Sequence, residues 1–582
     1  LVEASAERDC PYRFVHALTR DVAYGSIPRR DLHGLHEAVA DWLEAHPLDF
    51  QGDTAATIAF HLGQACSSLG ADWETTSDHV ETVERRWVDW TIRAARRAIT
   101  ATAITEAKRL ARIAVFNAVD DVQRVDALEC LGNAHFFNYE GDDAWRILTE
   151  AADLAADSGV RQPTDVAMLY TRALASTVRW AGGVRHPPIP RELKKGIQTA
   201  TALLDAGDSV ERVQLLTVVG FWPYATVGHR DSGLIGEVEA RTAALEAADM
   251  ARRLGRVDLE SAALDGLGST HIFRGDYLAA DDVTQRRCDL LDALSDPWER
   301  GDLCAVAAWV AFERGRYREA IDWATRGIDD AGDDYPSVAL HCRNWRGLAR
   351  FRSGDWQGVL EELAVIEAAS QPGAAPVPYA TPLVAAAALV HHLRGGEDEC
   401  DRLLGLLAPL DETEGPPLSR WAEFVAPIFA RRGDASTAFK LIDCTAHRRA
   451  SRLGQLQIAR CQVMIESETF GRLGDFAAEC RRIASERGVE PLLPAVLTAE
   501  GFAALGEGSW EPGFELFESA RELAARLGDP WWTGMADIGL AETALRLERV
   551  GAAQLYRSDA IETLAPLGAE RELHRAGMIP LA

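Results

Sequence analysis

A short phrase returns along this chain about every 39 residues, and it restricts the fold more than any other feature. It reads Arg-Gly-Asp-Tyr at 274–277, Arg-Gly-Arg-Tyr at 314–317 and Ser-Gly-Asp-Trp at 353–356. It recurs as Arg-Gly-Asp-Ala at 432–435, Leu-Gly-Asp-Phe at 473–476 and Glu-Gly-Ser-Trp at 507–510, with a weaker member at Gly395 or Gly396. Gly tolerates the left-handed backbone that ends a helix. The Asp or Ser after it caps the next helix. The aromatic two places after the Gly fills the wedge between the two helices. Ala280, Ala320 and Ala438, five places after the Gly, let those helices approach, and Gly268, Ala308 and Gly347 do the same from the first helix.

From about residue 54 onward the apolar residues fall three and four apart, as in Trp87–Thr100 and Ala144–Ala155. Strand-like alternation is confined to the first 15 residues, where 1–5 and 12–15 suit two short strands around a polar turn. The expectation is an all-α solenoid of about twelve hairpins between residues 80 and 565. The 582 residues then form one long array.

Composition excludes several function classes. The net charge of −28 opposes a general nucleic-acid surface, which needs Lys and Arg against phosphate. Only Lys108, Lys194, Lys195 and Lys440 are lysines, and none follows a Gly, so a phosphate-binding P-loop is absent. No nucleophile elbow or His-Glu-x-x-His helix occurs. His33 and His36 share a helix flank without a carboxylate or Cys to complete a ligand set, and adjacent His391 and His392 diverge. No metal site and no catalytic constellation is expected. The ten cysteines, from Cys10 to Cys480, contain no Cys-x-x-Cys pair and suit buried thiols in a reducing cytoplasm. No apolar run reaches the ~18 residues of a membrane span.

The pattern small residue, Gly-Asp-Tyr, Ala, larger apolar residue resembles the tetratricopeptide (TPR) repeat, in units longer than its standard length. It is similar to the long degenerate repeats in the C-terminal arms of bacterial signalling ATPases. An earlier unit fits through Gly132, Ala144, Leu148 and Ala151. Pro-rich breaks at 182–190 and 371–382 suit either hinges or long loops, and Pro223 suits a helix kink. The expected division is 1–50, 51–80 as connecting helices, 81–370 as a first sub-array and 371–582 as a second.

The first fifty residues carry a more specific likeness. Phe14, His16, Ala17, Leu18, Arg20, Asp21, Val22, Ala23 and Tyr24, then Arg29, Leu32 and His33 or His36, resemble the end of the winged-helix domain of bacterial STAND-type ATPases. The likeness is greatest to proteins with an N-terminal adenylate/guanylate cyclase, an ATPase and such an arm. The large LuxR-type regulators come next. Since residue 1 is Leu, the expectation is a piece of a longer chain. The resemblance implies that ATP or ADP binds in an upstream domain, with no cofactor in this chain. It also implies that His16, opening a helix, faces the nucleotide phosphates; by its position one turn on, Arg20 can assist. The alternative is that His16 packs between the winged helix and the first repeat.

The first helices of a TPR-like superhelix line its concave face. Between 257 and 354 that face is predicted to carry Phe273, Trp309, Phe312, His341, Asn344 and Phe351, the three Phe residues in phase with the repeat. Two readings stand: a groove for a peptide or small effector, or inter-repeat packing. Three functions are weighed. One is a non-catalytic sensor arm that binds a protein or small effector and controls the upstream ATPase. The second is a scaffold or homo-oligomerisation array. The third, an enzyme, has no constellation to support it. No direct contact with nucleic acid or membrane is expected.

Overall fold

The computed structural model describes the chain except residues 1, 5–11, 15, 47–52, 70–75, 181–182, 333–334, 370–375, 411–415, 447–449, 472 and 581–582. The polar turn between the two N-terminal strands and parts of both Pro-rich breaks therefore lie outside the described residues. Strands Val2–Ala4 and Tyr12–Phe14 pair antiparallel, Glu3 opposite Arg13. All other regular structure among the described residues is helical. The fold is an all-α solenoid. Among the described residues, twelve consecutive hairpins run from Ser77–Thr100 with Ile104–Asn117 to Pro530–Arg546 with Val550–Leu564.

The recurring phrase builds the turns as its chemistry requires. Gly275, Gly315, Gly354, Gly395, Gly433 and Gly508 all take positive φ, between 68° and 88°. Asp276, Asp355 and Asp434 each accept a hydrogen bond from a backbone N–H three residues on. Ala280, Ala320 and Ala438 are wholly buried. Gly474 differs from the expectation. The helix before it stops at Ser467 with Glu468 left-handed, the turn is longer, and Gly474 falls inside Leu473–Arg487. Gly132 sits so closely under Leu148 that an added Cβ would stand 2.5 Å from its Cγ.

The chain divides into two compact units: residues 1–176 with 199–204, and residues 177–198 with 205–582. The expected sub-array boundary at 370/371 lies inside the second unit. In the first unit the core is a run of alanines, among them Ala94, Ala111, Ala127, Ala151 and Ala155, interleaved with Ile92, Leu110, Leu128 and Leu148. Each helix packs on its neighbours, which is the ordinary solenoid arrangement.

The second unit does something more. Its coil closes on itself, so that residues about 175 apart meet. Tyr277 Oη donates to the Ser451 carbonyl at 2.6 Å and Arg394 Nε to the Leu567 carbonyl at 2.8 Å. A Cβ on Gly315 would lie 2.9 Å from Pro491, and one on Gly354 would strike Pro530. Hairpin turns of one coil turn thus rest on helix starts of the next. These contacts bury Tyr277, Tyr317 and Trp356, the aromatics of the repeated phrase.

Candidate functional site

The helix Pro297–Glu313 runs through the interior of the second unit and carries three layers in succession. The first is ionic. Glu299 and Asp302 point at Arg179 and Arg287, with Asp265 opposite. Arg179 Nη2 donates to Glu299 at 2.8 Å and Asp302 at 3.0 Å, and Arg287 Nη2 to the same two at 2.9 Å and 2.8 Å. Ser261 Oγ donates to Glu299 at 2.7 Å. Arg179 also lies against the rings of Trp180 and Trp298. Two guanidinium groups therefore serve three buried carboxylates. Burial pushes Asp265 up to about 6, while Arg179 and Arg287 overcome the same burial at Asp302 and hold it at about 2.

The second layer is aromatic and contains the predicted groove positions. Trp309 stacks on Trp345 at 5.0 Å, with Tyr224 at 5.9 Å from Trp309 and Phe312 at 6.0 Å from Trp345. Trp345 Nε1 donates to His341 Nε2 at 3.1 Å, and His341 lies 5.7 Å from Tyr379. Burial lowers the His341 pKa, so this ring is neutral at pH 7. Asn344 Oδ1 accepts from the Leu383 N–H at 3.2 Å, tying one hairpin to the next. Phe351 lies between Trp356 and Phe424. Phe312, Asn344 and Phe351 are thus consumed by packing. Phe273, Trp309 and His341 are half-buried, and Phe273 stands apart at the end of Val257–Ile272.

The third layer joins successive coil turns. Gln455 donates to Glu313 at 3.0 Å and accepts from Arg352 at 2.7 Å. Arg452 pairs with Glu423. Burial pushes Glu313 up to about 7 and Asp529, near Arg352, to about 6. Farther along, Arg431 bonds both Glu466, at 2.6 Å, and Glu572, at 2.5 Å. None of these charged residues was singled out by the sequence. A signal existed: Asp265 and Asp537 each stand alone among small and apolar residues of a helix, where a carboxylate needs a partner.

At the N-terminus, His16 precedes the helix Ala17–Gly25 and is exposed, without a side-chain cap. Arg20 is exposed and pairs with Asp21 at 2.7 Å. Arg20 stands one turn after His16, its backbone N–H donating to the His16 carbonyl at 3.2 Å. The structure links three helices through a chain that the sequence did not suggest. Tyr24 Oη meets His36 Nε2 at 2.7 Å, and His36 Nδ1 meets His61 Nδ1 at 2.8 Å. Burial lowers both histidine pKa values, so one neutral ring donates to the other. Around this chain, large apolar side chains face outward: Leu18 and Val22 on the first helix, Leu35, Val39 and Trp42 on Arg29–Ala45, and Phe60 on Thr54–Leu69.

Chemically these arrangements bind and brace. Burial pushes the thiols of Cys66, Cys130, Cys304, Cys400 and Cys480 up to about 12, far from nucleophilic. Among the described residues no three His, Cys, Asp or Glu side chains gather to hold a metal. No described helix is long and apolar enough to cross a membrane.

No protein-family model and no curated protein matches the chain. Solved structures of similar architecture include a Rap protein complexed with competence and sporulation factor. It is 14% identical, with a TM-score of 0.35 over 68% of this chain and 98% of that one. The APC/C hetero-tetramer Cut9–Hcn1 is also 14% identical, with a TM-score of 0.41 over 84% and 94%. A signal transduction ATPase with numerous domains and a tetratricopeptide repeat sensor, PH0952 from Pyrococcus horikoshii, is 12% identical, with a TM-score of 0.34 over 68% and 54%. At such scores these likenesses carry no functional argument, and the architecture rests on the helices themselves.

Proposed function

We propose that this chain is a non-catalytic regulatory arm of a cytoplasmic signalling ATPase, holding or releasing an upstream ATPase and its cyclase output according to a protein or small effector. The observation that carries the reading is the outward apolar face of Leu18, Val22, Leu35, Val39, Trp42 and Phe60. Large side chains exposed together mark an interaction surface. All but Phe60 lie within the first fifty residues, the segment that resembles the end of a STAND winged helix. His16 and Arg20 stand at the start of that segment, where a nucleotide held by an upstream domain is within their reach. The effector then acts on the repeats, and the apolar face passes the result to the ATPase.

The test is made in the parent chain. A P-loop domain upstream of Leu1 is required, and its absence sinks the reading. Leu18→Asp with Val22→Asp is expected to change basal nucleotide turnover at least several-fold while leaving the repeats folded. Unchanged turnover overturns the proposal. His16→Ala is expected to weaken ADP retention by the parent, and an unchanged ADP off-rate removes His16 from the account.

A further inference from the structure

The last described helix, Glu570–Met578, is held by charge more than by apolar contact. Of its nine residues only Glu572 and Ala576 are buried. Glu572 accepts from Arg431 Nη1 at 2.5 Å, and Arg571 pairs with Glu466 at 3.0 Å. Arg575 bonds Glu542 at 2.7 Å and 3.0 Å, and its guanidinium lies 4.7 Å over the Phe502 ring. At the far end Arg557 donates to the Ala576 carbonyl at 3.1 Å, and Ile579 is buried.

The residues beneath share one place in the fold. Arg431, Glu466, Phe502 and Glu542 stand in the last two turns of Ala422–Arg431, Leu453–Ser467, Leu492–Gly506 and Pro530–Arg546. These are the first helices of four successive hairpins, the stacked elements that build a solenoid's binding surface. Their charges alternate. Arg431, which Glu466 also holds at 2.6 Å, calls for a carboxylate at the centre. Glu466 and Glu542 call for a guanidinium on either side. The sequence Arg571-Glu572-x-x-Arg575 answers all three.

The occupant is nevertheless loosely committed. Nine residues do not keep a helix in water unaided. A buried ion pair returns little beyond the cost of desolvating it. Gly568, left-handed at φ 71°, turns the chain into this helix from the hairpin before. A second helix with the same charge pattern would make the same bonds, and displacing the first would undo the Arg431–Glu572 tie between coil turns.

We propose that this surface is a docking site for a helix of a partner protein that carries Arg-Glu-x-x-Arg, with Glu570–Met578 as its built-in occupant and competitor. The proposed function leaves the effector open, and this names the chemistry of one.

The probe is a fluorescein-labelled peptide of residues 567–580, added to the full chain and followed by anisotropy. A tethered helix competes at an effective concentration of roughly millimolar, so the unaltered chain is expected to bind the peptide weakly. Glu572→Lys in the chain sets a cation against Arg431 and frees the surface, so binding is expected to tighten at least about tenfold. The same peptide carrying Glu572→Lys is expected to bind neither chain. Circular dichroism melts check that the variant folds. If it does not, hydrogen exchange on the unaltered chain decides: excess unlabelled peptide is expected to speed exchange of the Glu570–Met578 amides at least severalfold, leaving Val550–Leu564 unchanged. A peptide that binds neither chain overturns the proposal. So does equal binding to both chains, equal binding by the Lys-bearing peptide, or exchange that the peptide does not alter. All of this is measured without the upstream ATPase, so its failure leaves the regulatory reading untouched, and the reverse.

Discussion

The two units use the same hairpin and hold it in different ways. In residues 1–176, side-chain bonds join helices that are near neighbours in sequence. Arg86, for example, reaches back 49 residues to Glu37. In the second unit, bonds span 103 to 213 residues and run between coil turns. The first unit follows the rule that a repeat touches only adjacent repeats. The second adds coil-to-coil contacts that make distant hairpins interdependent. Local contacts tolerate local damage, while long-range polar ties make one residue's loss everyone's loss. The first unit is therefore expected to melt gradually and the second as a block.

The largest break in that contrast comes from the ion layer. Arg287→Met leaves Asp265, Glu299 and Asp302 short of charge in a dry interior and is expected to cost the second unit about 3–5 kcal/mol. Arg124→Met, which removes the exposed pair with Glu150 in the first unit, is expected to cost ~0.5 kcal/mol or less. Urea unfolding of both variants checks the pair. Equal costs would dissolve the distinction between the units.

Acidification should separate the units next. Asp265, Asp529 and Asp537 titrate near 6 and Glu313 near 7, all raised by burial. The folded state then binds protons that the unfolded chain has released. Stability rises as pH falls from about 8 to 5.5, by about 1–2 kcal/mol per group. Buried neutral His341 and His392 oppose this in part, because unfolded imidazoles protonate first. In the first unit Glu140 is held near 2: burial raises it, and His135 and Lys108 more than reverse that. Its contribution is full above its unfolded value near 4.5 and disappears as pH falls toward 2. The neutral pair His36 and His61 meanwhile loses ground below about 6.5. Calorimetry at about pH 8, 6.5 and 5.5 is expected to move the second unit's transition up and the first's level or down. Glu313→Gln should raise the pH 8 transition and flatten the slope.

Two glycines sharpen the comparison. Gly354 and Gly433 share a left-handed backbone, so Ala costs about 1–2 kcal/mol at either. Gly354→Ala must also displace Pro530, so its thermal shift is expected to exceed that of Gly433→Ala. Equal shifts would show that the coil turns do not press on one another. The smallest effect is expected from Leu18→Ser with Val22→Ser, within about 0.5 kcal/mol, because both side chains already face outward.

The hairpins were legible because their cause is local. A left-handed Gly, an Asp cap and a small residue one turn on fix a turn within ten residues, and the caps at Asp276, Asp355 and Asp434 follow from that. The turn at Glu468 escaped because Gly474 imitates the phrase while the helix breaks earlier. The contact of Tyr277 with Ser451 depends on superhelical pitch, which no short stretch of sequence encodes. The aromatic positions were found by their period, yet the period does not say whether a ring faces solvent or, like Phe351, another ring. The ion layers were missed for the opposite reason. Eighty-nine acidic residues hide the few whose burial matters.

The coil-to-coil contacts also set a mechanical property. An open solenoid stretches like a spring, because only its neighbour interfaces deform. Where Gly315 seats on Pro491 and Arg431 clamps Glu572, the coils are shut, and pulling along the axis must break buried ion pairs before any lengthening begins. The second unit is therefore stiff to extension, and the first, with no such latches among its described residues, is compliant. A load applied across the chain would be taken up almost entirely in the first unit, beside Tyr24, His36 and His61.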